Sequence, residues 1–198
     1  MPTILDAPAS LDALIAHCRH FEADVRADAG GGLDAIPRPV RELFPPNDPY
    51  PRLPGMWAPL VWLLACSLAL TGIDVVILQV LPRPSGEAAA RVLLIMLVNV
   101  VAALAAVAGI VGAARASSHA LDGLRRLTQA MLLVAAAVTL LAIHAGLFWI
   151  FPTLTMLGAL LMWLVLYSRA FRVWGGYQLA GRRVRTLRAQ TRAASVRR

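Results

Sequence analysis

Hydrophobic residues in the second two thirds of the chain fall into four long segments with few polar interruptions. These segments are residues 57–81, 92–114, 127–151 and 153–171. Each has roughly twenty residues, which at about 1.5 Å per residue matches the roughly 30 Å hydrocarbon thickness of a bilayer. Helices satisfy their own backbone hydrogen bonds, so helices are the expected spanning form. The pattern therefore predicts an all-α integral membrane protein with a four-transmembrane-helix bundle over residues 57–171.

Residues 1–56 have a different pattern and are predicted to form a cytoplasmic N-terminal region. Over residues 10–29, apolar side chains recur at steps of three and four, which predicts an amphipathic helix with Ser10 as its N-cap. Glycines 30–32 should end it, and residues 36–54, with seven prolines, predict a semi-extended linker. The polar face of the helix is acidic and disfavours anionic lipid, so its apolar stripe is predicted to dock on protein. The stripe consists of Leu11, Leu14, Ile15, Phe21 and Val25.

Charge is distributed unevenly along the chain. Residues 1–56 contain eight acidic residues and five arginines, whereas residues 169–198 contain nine arginines and no acid. The acidic N-terminal face and the arginine-rich tail are therefore candidates for contact with each other. Arginine is also concentrated before the first segment and between the second and third. By the positive-inside rule, this alternation predicts a multi-pass protein with both termini in the cytoplasm.

The basic residues also bear on the source and on the tail. All 19 are arginine, which is typical of GC-rich bacterial genomes and predicts the bacterial cytoplasmic (inner) membrane. The fourth span is expected to continue to Gly175 and Gly176. Residues 172–198 are the basic cytoplasmic tail, and its part beyond the two glycines predicts a basic amphipathic helix lying on the inner leaflet. Its apolar face would be Tyr177, Ala180, Val184 and Leu187. Residues predicted to bind anionic lipid headgroups are Arg169, Arg172, Arg182, Arg183, Arg185 and Arg188.

Three strongly polar residues, Asp74, Asn99 and His144, lie inside the predicted spans. Counting from the middle of each segment puts all three about 6–8 Å toward the outer side. A charged Asp in hydrocarbon costs about 2.5–3.5 kcal/mol, so Asp74 is predicted to face a partner in an intramembrane polar cluster. Hydrogen bonding between helices is one role for such a cluster, and a proton or ion path is another. A third alternative is that Asp74 lies at a wet edge of its span.

The second span is rich in small residues at the spacing that lets helix backbones approach closely. The candidates for helix packing are Ala102, Ala105, Ala106, Gly109 and Gly112. The pattern fits an oligomer interface and packing within the bundle equally well.

Other chemistry is sparse. The two cysteines form no disulfide framework, and His17 and His20 beside Cys18 supply at most half of a metal site. We predict no metal, no cofactor, no catalytic residue and no nucleic-acid partner. The leading hypothesis is a non-enzymatic accessory, scaffold or assembly subunit that binds lipid and either other membrane-complex proteins or itself. The alternatives are a small transporter or channel using the Asp/Asn/His cluster, and a membrane-acting toxin, holin or immunity protein.

Overall fold

The computed structural model describes residues 8–27, 42–44, 54–80, 88–147 and 149–196. Across these ranges the regular secondary structure consists of six helices and no strands. We name the helices α1 to α6 in chain order. They are α1 (Leu11–Arg26), α2 (Trp57–Val80), α3 (Ala88–Ala114), α4 (Ser118–His144), α5 (Ile150–Leu166) and α6 (Arg169–Val196). The all-helical fold class predicted from the sequence is confirmed.

Three helices are long and apolar enough to cross a membrane: α2, the part of α3 from Ile95 to Ala114, and α4. A fourth candidate arises when α5 is joined across a bend to Arg169–Ala193, which is most of α6. The helix α5 alone has 17 residues, which is near the lower limit for spanning hydrocarbon. The chain thus has three to four candidate spans by length and composition.

The first helix agrees closely with its prediction. Ser10 is the N-cap, and its side chain accepts a hydrogen bond from the backbone N–H of Ala13. The helix ends at Arg26. Residues 30–32 and most of the predicted linker 36–54 lie outside the described residues.

The limits of α4 and α5 differ from the hydrophobic segments. The helix α4 begins at Ser118 instead of residue 127, because a helix can extend beyond its apolar part into polar surroundings. It ends at His144, and Gly146 then adopts a φ of 65°, as is usual for the residue that ends a helix. Pro152 lies in the first turn of α5. Proline is tolerated there because the missing N–H has no partner within the helix.

The last helix also differs from its prediction. It runs without interruption through Gly175 and Gly176, and the break in the chain is at residues 167–168 instead. Gly175 lies in a close packing contact with α1. A Cβ added to Gly175 would lie 2.6 Å from Leu14 Cδ2, so a larger residue there would require the Leu14 side chain to shift.

The described helices belong to two compact units. The first, which we call the polar unit, comprises Met1–Ala58, Val111–Asp122 and Tyr167–Arg198. In it α1 packs on α6. A second contact is made by Phe44, whose ring lies 4.6 Å from that of Tyr177. The buried cluster around this contact consists of Phe44, Tyr177, Ala180, Val184 and Leu187.

The second unit, which we call the apolar unit, comprises Pro59–Ile110 and Gly123–Leu166. Gly158 of α5 lies against the backbone of α2, where an added Cβ would be 2.7 Å from the amide nitrogen of Ala69. The fully buried Trp62 of α2 donates its indole N–H to Thr128 Oγ1 of α4 over 3.2 Å. These two contacts show that α2 packs on both α4 and α5.

Candidate functional site

The most connected polar group in the polar unit is the carboxylate of Glu22, at the C-terminal end of α1. The hydroxyl of Ser118 donates to Glu22 Oε2 over 2.7 Å, and the backbone N–H of Ser118 donates to Oε1 over 3.1 Å. Arg182 Nη1 lies 3.3 Å from Glu22 Oε1. The same nitrogen donates to the carbonyl oxygen of Ala116 over 3.0 Å. We call these four residues the Glu22 junction.

The turn between α3 and α4 prepares this arrangement. Ala116 adopts a φ of 54°. Its N–H donates to the carbonyl of Ala113, and the N–H of Ser117 donates to the carbonyl of Gly112. This is the Schellman pattern that ends many helices, usually with glycine in the left-handed position. The turn leaves the Ala116 carbonyl available to Arg182.

The start of α4 supplies the other donor. The carbonyl of Ser117 accepts from the N–H of Leu121 over 3.2 Å, so Ser117 is the N-cap and Ser118 is the first helical residue. The N–H groups of a first turn have no partner inside their own helix, and the helix dipole favours negative charge there. The Glu22 carboxylate therefore caps α4 from another helix.

Burial and hydrogen bonding act in opposite directions on Glu22. Burial by itself would raise its pKa, but the hydrogen bonds from Ser118, together with the hydrogen bond and charge of Arg182, lower the pKa below its ordinary value. Only 14% of the Glu22 side chain is exposed. The carboxylate is therefore ionised at neutral pH and is held by three donors.

Two neighbours on α1 complete the surroundings of Arg182. Its guanidinium lies 5.7 Å from the centroid of the Phe21 ring, within the range of a cation–π contact. Cys18 is fully buried. Burial, with a smaller contribution from the charge of Glu22, raises the pKa of the Cys18 thiol to about 12, against an opposing effect of Arg182. The Cys18 thiol is therefore neutral at pH 7.

The other end of α1 is also fastened to α6. Arg172 donates to the carbonyl oxygen of Pro8 over 2.9 Å and also to that of Ala9. Between the two ends, Leu14 packs on Gly175. The helix is therefore held at its beginning, middle and end by α6.

These contacts show where the predicted protein-docking stripe lies. Leu11, Leu14, Ile15 and Phe21 are buried, and Val25 is half-buried. The helix that carries them packs on α6 of the same chain. Docking of the stripe on another protein stays a prediction, and such docking would have to displace α6.

The predicted contact between the acidic N-terminal helix and the arginine-rich tail is confirmed by the ion pair of Glu22 and Arg182. The predicted lipid-facing surface of the tail needs correction. Its apolar face, which includes Tyr177 and Val184, is buried with Phe44 inside the protein and is not free to enter a leaflet. Hydrophobicity at helical spacing marks a face that will be covered, but it does not identify what covers it.

The arginines predicted to bind lipid headgroups divide into two groups. Arg172, Arg182 and Arg188 bond to groups of the protein itself, Arg188 to the carbonyl oxygen of Phe44 over 2.5 Å. Arg169 and Arg185 are exposed and Arg183 is half-buried. Lipid binding stays a prediction for this second group.

The structure brings together two of the three residues predicted to form the intramembrane cluster. The side-chain amide of Asn99 in α3 donates to Asp74 Oδ2 in α2 over 2.5 Å, and Asn99 Oδ1 is buried with no partner among the described residues. His144 is exposed and, in the described part of the chain, makes no hydrogen bond to either. The helix α4 ends at His144 instead of continuing to residue 151, so His144 lies at a helix end.

The small residues of α3 that were predicted to pack against another helix differ in how deeply they are buried. Ala106 is buried, Ala102 is half-buried and Ala105 is exposed. A Cβ on Gly109 would lie 2.7 Å from Leu124 Cδ2, and one on Gly112 would lie 2.5 Å from Ala120 Cβ, both on α4. The glycines thus serve packing within the chain.

Three contributors to the polar unit were not identified from the sequence: Ser118, Ala116 and Phe44. Ser117 is the N-cap of α4 and Ser118 is its first residue, and serine is a typical capping residue, so the sequence carries a signal for this helix start. Hydropathy alone puts the start of the third hydrophobic segment at residue 127, because it does not detect a polar helix start. A positive φ at Ala116 has no signal in the sequence because alanine rarely adopts it. Phe44 is a lone aromatic residue between prolines.

Among the described residues, no group of three or more His, Cys, Asp or Glu side chains could hold a metal ion. His20 Nδ1 lies 3.0 Å from Asp24 Oδ2, one turn further along the surface of α1. Comparison of the chain with protein-family models, curated proteins and solved structures finds no match.

Proposed function

We propose that this chain is a non-enzymatic, multi-pass protein of the bacterial inner membrane, with both termini in the cytoplasm. It acts by binding other membrane proteins, as an accessory, scaffold or assembly subunit of a larger complex. The observation that carries the binding function is the uncovered surface of α3, described below.

Membrane insertion is supported by the apolar surface of the chain. Large hydrophobic side chains are widely exposed on all four helices of the apolar unit, for example Leu64 at 70% and Leu133 at 72%. An aqueous protein rarely exposes apolar surface of this extent, because its contact with water is unfavourable. The hydrocarbon chains of a lipid bilayer can cover such an apolar surface without this unfavourable contact with water.

The composition of the polar unit supports the common side of the termini. It gathers the N-terminal region, the turn between α3 and α4, and the C-terminal helix. These are the three regions whose arginines predict a cytoplasmic location. Their contact at the Glu22 junction supports the proposal that they lie on one side of the membrane.

The helix α3 contacts the rest of the apolar unit through one narrow stripe. From residue 95 to residue 109, the buried or half-buried residues are Ile95, Asn99, Ala102, Ala106 and Gly109, at alternating steps of four and three. This spacing is typical of two helices packed side by side.

Most of the remaining circumference of α3 is uncovered. In its most apolar window only 6% of the residues are buried, against 39% for α2 and 28% for α4. Leu97 and Leu104 are exposed at 60% and 65%. A helix held by so narrow a stripe retains a wide apolar surface on which a transmembrane helix of a partner can pack.

The test is purification in mild detergent from cells that express the protein at its native level. We expect a stoichiometric partner to co-purify and to be lost when Leu97 and Leu104 are both changed to Ala. The matched control changes Leu64 and Leu133 to Ala, which are equally exposed on α2 and α4. Equal loss from both double variants, or a clean monomer from the unmodified protein, would contradict the proposal.

A small transporter is the second candidate, favoured by one observation. Asn99 Oδ1 is buried without a partner beside the Asp74 carboxylate, and unsatisfied polar atoms inside a membrane span are typical of ion and proton paths. Asp74→Asn preserves the size of the side chain and removes its charge. Unchanged proton or cation flux in vesicles that contain this variant would exclude the transport function.

A further inference from the structure

The polar pair of Asp74 and Asn99 lies between α2 and α3, and both side chains are half-buried. The amide of Asn99 donates from Nδ2 to Asp74 Oδ2 over 2.5 Å. The other amide atom, Asn99 Oδ1, is buried and has no partner among the described residues. A buried acceptor without a donor is unfavourable. The pair therefore lacks one hydrogen-bond donor.

The protonation state of Asp74 decides whether that donor exists. An ionised carboxylate only accepts hydrogen bonds, whereas a protonated carboxyl group has one O–H donor and keeps an acceptor. A carboxylic acid and a primary amide are complementary, because the acid O–H can donate to the amide oxygen while the amide N–H donates to the acid carbonyl oxygen. A protonated Asp74 thus supplies the donor that Asn99 Oδ1 lacks.

The surroundings of the pair offer no positive charge to hold a carboxylate. In the described part of the chain no Arg or His forms an ion pair with Asp74. The helix α5 has no titratable side chain. On α4, His144 is exposed and makes no hydrogen bond to the pair, and the other titratable residues lie near the beginning of that helix. Cys66 on α2 and Arg91 on α3 are each eight residues from the pair, about 12 Å along the helix axis.

A charge in such an apolar environment is costly, and an unpaired carboxylate there tends to take up a proton. Protonation of Asp74 removes the charge and also fills the acceptor at Asn99 Oδ1. Both effects favour the neutral form of the pair.

A metal cation fits the pair less well than a proton. Ca²⁺ and Mg²⁺ take about six or more oxygen ligands, and the pair supplies one carboxylate and one amide oxygen. Within the described ranges no group of three or more His, Cys, Asp or Glu side chains could add ligands. Carbonyl groups inside a helix already accept from the N–H groups of their own helix. A proton needs only the two oxygens that are present.

The position of Asp74 gives the proton a short route. Its side chain is half-exposed, and its neighbours one turn away on the helix, Thr71 and Leu78, are exposed. The helix α2 ends at Val80, six residues further on, about 9 Å along the axis. The carboxyl group is therefore close to the end of its helix, from which water can deliver a proton.

We propose that Asp74 and Asn99 form a proton-binding site in which the protonated carboxyl group of Asp74 and the amide of Asn99 exchange two hydrogen bonds between α2 and α3. Release of the proton restores the carboxylate and removes the donor to Asn99 Oδ1. The proposal rests on the proposed insertion of these helices in a membrane. It identifies the ligand of the second candidate function and does not require that the proton crosses the membrane.

Infrared spectroscopy tests the protonation directly, because a protonated carboxyl group has its own carbonyl stretch. The full-length protein is reconstituted in vesicles of ether-linked phosphatidylcholine, which has no ester carbonyl to overlap this band. At pH 7 we expect one such band that is lost in Asp74→Asn, a neutral substitution of the same size. Asp24→Asn on α1 is the matched control and should leave the band unchanged. Circular dichroism of each variant confirms that the fold is retained.

Two further measurements identify the partner and the ligand. In Asn99→Ala the band should shift to higher frequency, because the acid carbonyl of Asp74 loses its hydrogen-bond donor. Raising the pH should replace the band with carboxylate absorption, and return to pH 7 should restore it. Exchange of sodium for choline in the buffer should have no effect, since the ligand is a proton.

Four results would overturn the proposal. A spectrum that Asp74→Asn leaves unchanged shows that Asp74 is ionised, and a band that Asn99→Ala leaves unchanged shows that the two side chains do not pair. A band that persists at every pH at which the fold is retained shows that the proton does not exchange. A band that depends on sodium shows that the ligand is a metal cation.

Failure of this proposal is distinguished from failure of the proposed function. The co-purification test depends on the uncovered side of α3 and does not involve the protonation of Asp74. An acid band at pH 7 together with proton flux that Asp74→Asn leaves unchanged supports the proton-binding site and rejects the transporter alone.

Discussion

At the scale of single residues, the most informative group is Glu22, because its negative charge serves three parts of the chain at once. It completes the first turn of α4, neutralises Arg182 of α6 and fastens the end of α1. A neutral residue of the same size keeps the shape and loses the charge-assisted bonds. The pH dependence of the free energy of unfolding separates the contribution of the Glu22 charge from that of the side-chain shape.

We predict that Glu22→Gln lowers the free energy of unfolding of the polar unit by about 1–3 kcal/mol at pH 7. The folded state lowers the pKa of Glu22, so the stabilisation is complete above the pKa of an unfolded glutamate, about 4.3. It is lost as the pH falls through the lower folded pKa. Thermal unfolding of both proteins in detergent, followed by circular dichroism, should show a difference that is constant from pH 7 to 5 and shrinks below pH 4.

Asp24→Asn supplies the control for this prediction. It makes the same change of charge on α1, but its ion pair with His20 is exposed and contributes at most about 0.5 kcal/mol. An equal effect of the two substitutions would show that the net charge of α1 matters and the junction does not.

Ala116 is the second residue with a specific consequence. Its left-handed backbone costs about 1–2 kcal/mol for a residue with a Cβ. We predict that Ala116→Gly raises the free energy of unfolding by about 0.5–1 kcal/mol, after the greater freedom of glycine in the unfolded chain is subtracted. Ala113→Gly, in the preceding helical turn, should lower it by about 1 kcal/mol. Urea unfolding of the two variants measures both, and a destabilising Ala116→Gly would contradict the account of the turn.

At the scale of helices, close approach of backbones fixes the apolar unit. Gly158 of α5 faces the backbone of α2, where the amide nitrogen of Ala69 and the carbonyl oxygen of Ala65 leave no room for a side chain. Backbone atoms cannot move aside as a flexible side chain can. The contact therefore tolerates only glycine.

We predict that Gly158→Ala destabilises the apolar unit by about 1–3 kcal/mol, because the two helices must separate. Gly123→Ala is the control, since an added Cβ there meets nothing within 4 Å. It should be neutral or stabilise α4 by up to about 1 kcal/mol. Circular dichroism during unfolding in sodium dodecyl sulfate compares them, and similar midpoints for both variants would contradict close packing of α2 and α5.

The sequence predicted these helices better than their ends. The amphipathic period gave α1 to within three residues, and hydropathy located α2 and the apolar part of α3. The start of α4 and the continuity of α6 through Gly175 were missed. Hydropathy detects the part of a helix that can lie in hydrocarbon, whereas a helix continues until its backbone hydrogen bonding is interrupted.

At the scale of the whole molecule, the proposal to test is the location of both termini on one side of a membrane. Single cysteines in place of Arg19, Arg115 and Arg185, all exposed in the polar unit, report on this unit, and one in place of the exposed Ala145 reports on the turn after α4. The background for these variants is Cys18→Ala, Cys66→Ala.

We predict that an impermeant maleimide labels the first three cysteines in inside-out vesicles and not in right-side-out vesicles. Ala145→Cys should show the opposite result, because α4 connects the two sides. Labelling of all four from the same side would contradict the topology, and it would leave α4 as a helix that does not cross the membrane.

The sequence by itself determined the class of structure. Three features indicate this class: the long apolar segments, the apolar stripe of α1 and the uneven distribution of charge. Each is a property of neighbouring residues or a sum over a segment, so it can be recognised without knowledge of the fold. The same properties predicted that Asp74 faces a polar partner and that the ends of the chain attract each other.

Only the tertiary structure decided which groups meet. Asp74 pairs with Asn99 while His144 lies at a helix end, and the stripe of α1 is covered by α6. Phe44 covers the face of α6 that was expected to meet lipid. Each of these outcomes depends on the rotation of one helix relative to another and on contacts between residues up to about 160 positions apart. An amphipathic pattern shows that a helix face must be covered, but it does not show which part of the chain covers it.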